Sequence, residues 1–155
     1  MSSAFLTEAE LFRAVQQSQV LEDLHCRTGW WRWAEPEVEG LFGRPDYLIG
    51  YCRIDSRGRR QVRSVAFEMK LADWKRALTQ AFRYAAFAHY AYVLMDYAYV
   101  ERALRSLDQF LRANIGLLSF SKTGRLRVHH RPVCRTPYAP ALRAKLHKKI
   151  CNEVL

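Results

Sequence analysis

The stretch RSVAFEMKLADWKRALTQAFRY, residues 63–84, joins an apolar run of strand character to a segment with helical spacing. Side chains alternate along a strand. Val65, Phe67, Met69 and Leu71 therefore share one wholly apolar face, and Ser64, Ala66, Glu68 and Lys70 share the other. Glu68 and Lys70 project the same way from a strand whose neighbours mark it as central. An unpaired buried charge is costly, so that face needs a pairing partner or a cation. Downstream, Asp73 is placed to cap a helix over 74–89, with Trp74, Ala77, Leu78, Ala81, Phe82 and Ala85 on its buried face.

Upstream, DYLIGYCRI (46–54) reads as a strand, and DSRGRRQ (55–61) as a polar loop centred on Gly58. If this strand pairs with residues 61–71, Asp46 falls near the level of Glu68 or Lys70. Two carboxylates and an ammonium then converge at one end of the sheet. That donor set suits a hard cation, Mg²⁺ or Mn²⁺. Magnesium commonly takes one or two protein carboxylates and leaves its other positions to water and phosphate. A lysine beside it can orient the attacking water or offset charge on the phosphate.

Outward from the hairpin, residues 6–25 read as one helix. Thr7 and Glu10 form a capping box, and Leu11, Val15, Ser18 and Leu21 form its buried face. WWRWAEPEVE (30–39) holds Pro36 and is expected at a sheet edge or interrupted. Residues 91–95 form a short apolar strand, and 100–113 a helix carrying Leu104, Leu107 and Leu111. IGLLSF and RLRVHH read as two strands joined by a turn at 122–124. A basic helical segment over about 138–155 closes the chain. Three strands followed by alternating helices and strands imply an α/β protein with a mixed sheet.

The 155 residues suit a single domain spanning 1–155, and half of them are hydrophobic, as in a folded globular protein. The formal net charge of +10 favours a polyanionic partner, nucleic acid first. Three basic clusters stand out: Arg57, Arg59, Arg60 and Arg63; Arg125, Arg127 and Arg131; Arg143, Lys145, Lys148 and Lys149. Clustered in this way they can track a phosphate backbone. The four cysteines form no CxxC pair, which argues against a zinc ribbon and for free thiols. MSSAFLTEAELF has no basic segment before an apolar core, and the uncharged run from Tyr84 to Met95 is too short for a transmembrane helix. A cytoplasmic location with no membrane partner is expected.

Pro45-Asp46 and Glu68-Met69-Lys70 together match the PD-(D/E)XK pattern, and Gln80 and Tyr84 match a QxxxY motif one helical turn long. On these residues the chain resembles the PD-(D/E)XK nuclease superfamily, and its small bacterial stand-alone branch in particular. TEAELF, LADWKRALTQAFRY and NIGLLSF are also similar to segments of that branch. The resemblance covers roughly residues 7–133. It implies a restriction-endonuclease-like mixed β-sheet core of order α-β-β-β-α-β flanked by helices. It also implies a Mg²⁺-dependent or Mn²⁺-dependent endonuclease or phosphodiesterase acting on DNA ahead of RNA. In it, Asp46 and Glu68 hold the metal, Lys70 serves the attacking water, Gln80 touches phosphate or supports Lys70, and Tyr84 supports the site. A further carboxylate from the first helix is found in many members; Glu8 and Glu10 are the candidates here. Glu39 is another acid able to approach. A homodimer or a place in a larger complex is in keeping with such enzymes.

Plainer roles compete with these. Asp46 also suits a turn after proline. Glu68 and Lys70 also suit a salt bridge at a strand end, and Tyr84 a snorkelling tyrosine. Glu10 is already accounted for by the capping box, and Glu8 by the helix dipole. Adjacent strand residues face opposite sides, so His129 and His130 would not share an ion, with or without Cys134. Trp30, Trp31 and Trp33 can stack on bases, although packing is the commoner use of tryptophan. The competing function is a catalytically silent module of the same fold that binds nucleic acid or scaffolds a repair or defence complex. A third is a basic accessory subunit in which ExK is coincidental.

Overall fold

The computed structural model describes residues 3–155. The protein is mixed α/β, built on an open six-stranded sheet of order β1-β2-β3-β4-β5-β6 with flanking helices. Strand β1 (Trp31–Pro36) is an edge strand that ends at its proline, which has no N–H for a further ladder bond. Strands β2 (Tyr47–Ile54) and β3 (Arg60–Lys70) form an antiparallel hairpin. The Asp55 carboxylate organises its turn by accepting from the Arg57 and Arg59 N–H groups at 2.9 Å each.

After β3, helix α3 (Trp74–Tyr84) returns the chain, so β4 (Tyr90–Asp96) runs parallel to β3. The Asp73 side chain caps α3 by accepting from the Arg76 N–H at 3.2 Å. Short helices α4 (Val100–Leu104) and α5 (Leu107–Ala113) lead to β5 (Gly116–Phe120), parallel to β4. Strand β6 (Leu126–His130) turns back antiparallel, and α6 (Pro140–Val154) closes the chain. Among the described residues, no helix is long and apolar enough to cross a membrane.

Two apolar layers sandwich the sheet. On one face α1 (Glu8–Ser18) and α2 (Val20–Leu24) bring Leu11, Val15 and Leu21 against Val65, Phe67 and Met69 of β3. On the other face α3 and α6 cover Leu48, Cys52, Val62 and Ala66. The apolar alternation along β3 is therefore realised. Gly50 of β2 lets α6 approach closely, since a Cβ there would stand 2.5 Å from Ile150 Cδ1. The fully buried Ile150 contributes about 1.5–3 kcal/mol through removal of its side chain from water.

Three helical expectations need correction. The helix expected over 6–25 is two helices, because Gln19 adopts φ 57° and breaks the ladder between α1 and α2; Ser18 is exposed. Helix α3 stops at Tyr84, short of residue 89. Its buried stripe is Trp74, Ala77, Ala81 and Tyr84, while Phe82 is 56 % exposed. The loop after α3 is held instead by Tyr138 N–H donating to the Ala85 carbonyl and Ala139 N–H to that of Ala86. The helix expected over 100–113 divides at Arg105 and Ser106, and Leu111 is exposed.

Candidate active site

The hairpin register decides where the site forms. Tyr47 pairs with Phe67, so one step further along places Asp46 opposite Glu68, as the sequence suggests. The Asp46 N–H donates to the Phe67 carbonyl at 3.0 Å, and Asp46 Oδ2 accepts from the Met69 N–H at 2.7 Å. Asp46 is thereby locked to β3 through both backbone and side chain. Pro45, buried just before it, favours the extended entry that this pairing needs.

Asp46, Glu68, Lys70, Gln80 and Tyr84 line one cavity of about 260 Å³, together with Gly43, Arg44 and Arg83. Glu68 is 3 % exposed, and the Tyr84 hydroxyl donates a short hydrogen bond to its Oε2. The same hydroxyl lies 3.1 Å from the Arg44 carbonyl. Gly43 permits this arrangement: its φ is +82°, and a Cβ there would meet the Tyr84 ring at 3.0 Å. Lys70 Nζ stands 4.0 Å from Glu68 Oε1 and 3.3 Å from Glu8 Oε2. Helix α1 therefore supplies Glu8 to the site. Glu10 stays outside it: its carboxylate accepts from the Leu6 N–H and pairs with Lys122 at 3.5 Å, while its own N–H donates to Thr7 Oγ1.

The electrostatics follow from burial and crowding. Burial first, and the neighbouring Asp46 second, push the Glu68 carboxyl up to about 7. The Tyr84 hydrogen bond and Lys70 oppose that rise. Burial also raises Asp46, against the Met69 N–H and Lys70. The site thus holds two desolvated carboxyls that repel each other when ionised. Gln80 lines this cavity, and its side-chain carbonyl oxygen is buried with no hydrogen-bond partner. An orphaned buried acceptor of this kind calls for a donor, such as a water.

These groups fit a hard cation of the Mg²⁺ or Mn²⁺ type. The donors are oxygens, and a divalent ion would offset the cost of ionising two buried, neighbouring carboxyls. Among the described residues, no three His, Cys, Asp or Glu side chains converge to form a complete ligand set. Asp46 and Glu68 are the carboxylates that could hold such an ion here.

Other candidates lie elsewhere. Glu39 is exposed and bonds Arg44 at 3.1 Å. Glu37, which the sequence did not single out, instead lines a second cavity of about 260 Å³ beside Asp46, with Glu8, Ala9, Phe12 and Met69. It gets there by a left-handed φ of 49° and a bond from its N–H to the Asp46 carbonyl, neither of which leaves a sequence signal. Arg44 and Arg83 were likewise missed. His129 bonds Ser119 Oγ at 2.7 Å, and Cys134 is exposed. Trp33 is buried in packing, with Lys149 over its ring and bonded to Glu35 at 3.2 Å. Lys148 is exposed on α6. Arg57, Arg59, Arg60 and Arg63 sit at or near the hairpin turn, at the opposite end of β3 from Glu68.

Comparison of the chain with family models, with curated protein sequences and with solved structures finds no match in any of the three.

Proposed function

We propose that the protein is a metal-dependent nuclease of the PD-(D/E)XK type, hydrolysing phosphodiester bonds in DNA ahead of RNA. The observation that carries this reading is the pairing of Asp46 with Glu68 across the hairpin end, with Lys70 and Gln80 in the same cavity. The element order supports it. Two helices, three antiparallel strands, a crossover helix and a parallel strand follow one another, an order compatible with the expected α-β-β-β-α-β core.

In this reading Asp46 and Glu68 hold Mg²⁺ or Mn²⁺. A divalent ion held there would supply Lewis-acid chemistry, polarising a phosphodiester and acidifying water. The chain's own groups orient the reactants. Gln80 Oε1 accepts from a water and fixes its direction. Lys70 offsets charge that develops on the phosphoryl oxygens. Arg83, on the cavity wall, adds a cation for the phosphate. Water attacks phosphorus in line with the leaving oxygen: a new P–O bond forms as the P–O bond to the leaving oxygen breaks. The water's proton passes to solvent, and the leaving oxygen takes one from solvent. Tyr84 holds Glu68 in one orientation, and Glu8 holds Lys70.

The test is cleavage of labelled DNA and RNA with Mg²⁺, with Mn²⁺ and with chelator, beside Glu68→Gln. Metal-dependent cleavage lost in the variant is the expected result. Cleavage that persists in the variant or in chelator overturns the reading. One observation favours a second reading, a binding module without turnover: Lys70 is already shared between two carboxylates, Glu8 and Glu68. Absent cleavage with retained nucleic-acid binding would select it.

A further inference from the structure

Along the hairpin, among the described residues, carboxylates concentrate at one end, with Lys70, Arg44 and Arg83 among them, and unpaired guanidiniums at the other. Asp46, Glu68, Glu8 and Glu37 gather where β2 begins and β3 ends. At the other end, guanidinium groups gather around aromatic rings. The Arg27 and Arg53 guanidiniums lie over the Trp30 ring at 5.2 and 4.7 Å from its centroid. Arg53 is further fixed by donating to Gln61 Oε1 at 2.6 Å, and Arg27 by donating to the Tyr90 hydroxyl at 3.5 Å. Arg131 donates to the Leu24 carbonyl at 3.3 Å, close enough to His25 to help lower its pKa. His25 itself packs on Tyr90 at 4.3 Å between ring centroids. Trp31, the first residue of the edge strand, is 49 % exposed.

Among the described residues, none of Arg27, Arg53 and Arg131 lies within 4.0 Å of a carboxylate, as holds for most arginines of the chain. What separates this patch from an ordinary solvated surface is that its guanidiniums are pre-positioned, by aromatic rings and by neutral acceptors. A cation held in place without an anion is ready for an external one, and a guanidinium plane or an exposed indole is a stacking surface for a base.

We propose that this arginine–aromatic patch, continued by Arg57 and Arg60 of the hairpin turn, is a binding surface for single-stranded nucleic acid, separate from the carboxylate cavity. Phosphates meet Arg27, Arg53 and Arg131, and bases stack against the Arg53 guanidinium; Trp31, paired with Cys52, faces the other side of the sheet. Seven steps along β2 separate Asp46 from Arg53, about 23 Å at roughly 3.3 Å per residue. A strand engaging both regions must span that distance. The surface binds without any contribution from the carboxylates, so its existence does not rest on the proposed catalysis.

The experiment measures binding of fluorescent single-stranded and duplex oligonucleotides by the full chain, in chelator, across a salt series. Tight single-strand binding is expected, with a salt slope near −3 for about four phosphate contacts and quenching of tryptophan fluorescence. The exposed double variant Arg53→Glu, Arg131→Glu should weaken it at least about tenfold and flatten the slope by about 1–2. Arg102→Glu, a charge reversal on α4, should leave the slope unchanged; circular dichroism confirms that each variant folds. Equal losses in the α4 variant would reduce the effect to net charge and overturn the surface. Preference for duplex, or binding of phosphatidylserine vesicles without oligonucleotide binding, would overturn it as well.

Discussion

Asp46 Oδ2 accepts from the Met69 backbone N–H at 2.7 Å, so the proposed metal-binding carboxylate also fastens the end of the β2–β3 hairpin. Removing it does two things at once. Asp46→Ala leaves the Met69 N–H without its partner, at about 1–3 kcal/mol. Asp46→Asn keeps an acceptor there and removes the charge. Urea unfolding should show the alanine variant clearly destabilised and the asparagine variant close to the parent. Both should lose cleavage. Equal stability of the two variants would show that the hydrogen bond contributes nothing.

The raised carboxyl of Glu68 makes stability depend on pH. Its folded pKa, about 7, lies above the ordinary value of 4.5. The protonated form is therefore favoured by folding. This contribution is fully present below about pH 4.5 and is lost as pH rises through 7. The difference amounts to about 3 kcal/mol. In chelator, Glu68→Gln should raise Tm at pH 8 by several degrees and gain little at pH 5. A gain of equal size at both pH values would contradict the assignment.

Tyr84 lowers the Glu68 pKa by donating to its carboxylate, against the larger effect of burial. Tyr84→Phe removes that donor. Glu68 should then ionise at higher pH, and the acidic limb of the cleavage profile should move to the alkaline side. The loss of activity should be greatest below pH 7 and shrink above it. A uniform loss at all pH values would mean that Tyr84 acts only through packing.

Helix α3 offers a stability test of its own. Phe82 and Ala81 are neighbours in sequence, yet Phe82 is 56 % exposed and Ala81 fully buried. Phe82→Lys should change unfolding free energy by no more than about 0.5 kcal/mol. Ala81→Leu, which overfills the layer under α3, should cost about 1–3 kcal/mol. Denaturant titration of the two variants distinguishes them.

The hairpin was legible because two alternating strands flank a polar turn, and a slip of one residue would put every apolar side chain on the wrong face. That constraint brought Asp46 to the level of Glu68 or Lys70, and the observed register selects Glu68. Helix faces were less legible. Phe82 and Tyr84 are two residues apart, about 200° around the helix, so only one can face the sheet. Hydrophobicity suggested Phe82, but the hydrogen bond from Tyr84 to Glu68 belongs to the buried stripe. Glu8 and Glu10 pose the same choice on α1. Their difference is set by how α1 docks, which a local pattern does not encode. The breaks at Gln19 and at Ser106 are likewise imposed by packing, since neither residue is a strong helix terminator. Glu37 reaches the site through a loop conformation that only the folded chain defines.

With carboxylates concentrated at one end of the β2–β3 hairpin and guanidiniums at the other, the molecule carries an electric dipole. In the field of a polyanion, a dipole feels a torque as well as a force. The arginine end turns toward the polymer and the carboxylate end away, so first contact falls far from the phosphodiester cavity. A fragment too short to span the gap must reach that cavity alone, against carboxylate repulsion. A longer strand, once tethered, delivers its next segment at a high effective concentration. If the cavity is the proposed nuclease site, chain length would act as a filter on turnover, and digestion of a long strand would slow once its products fall below the reach of the tether.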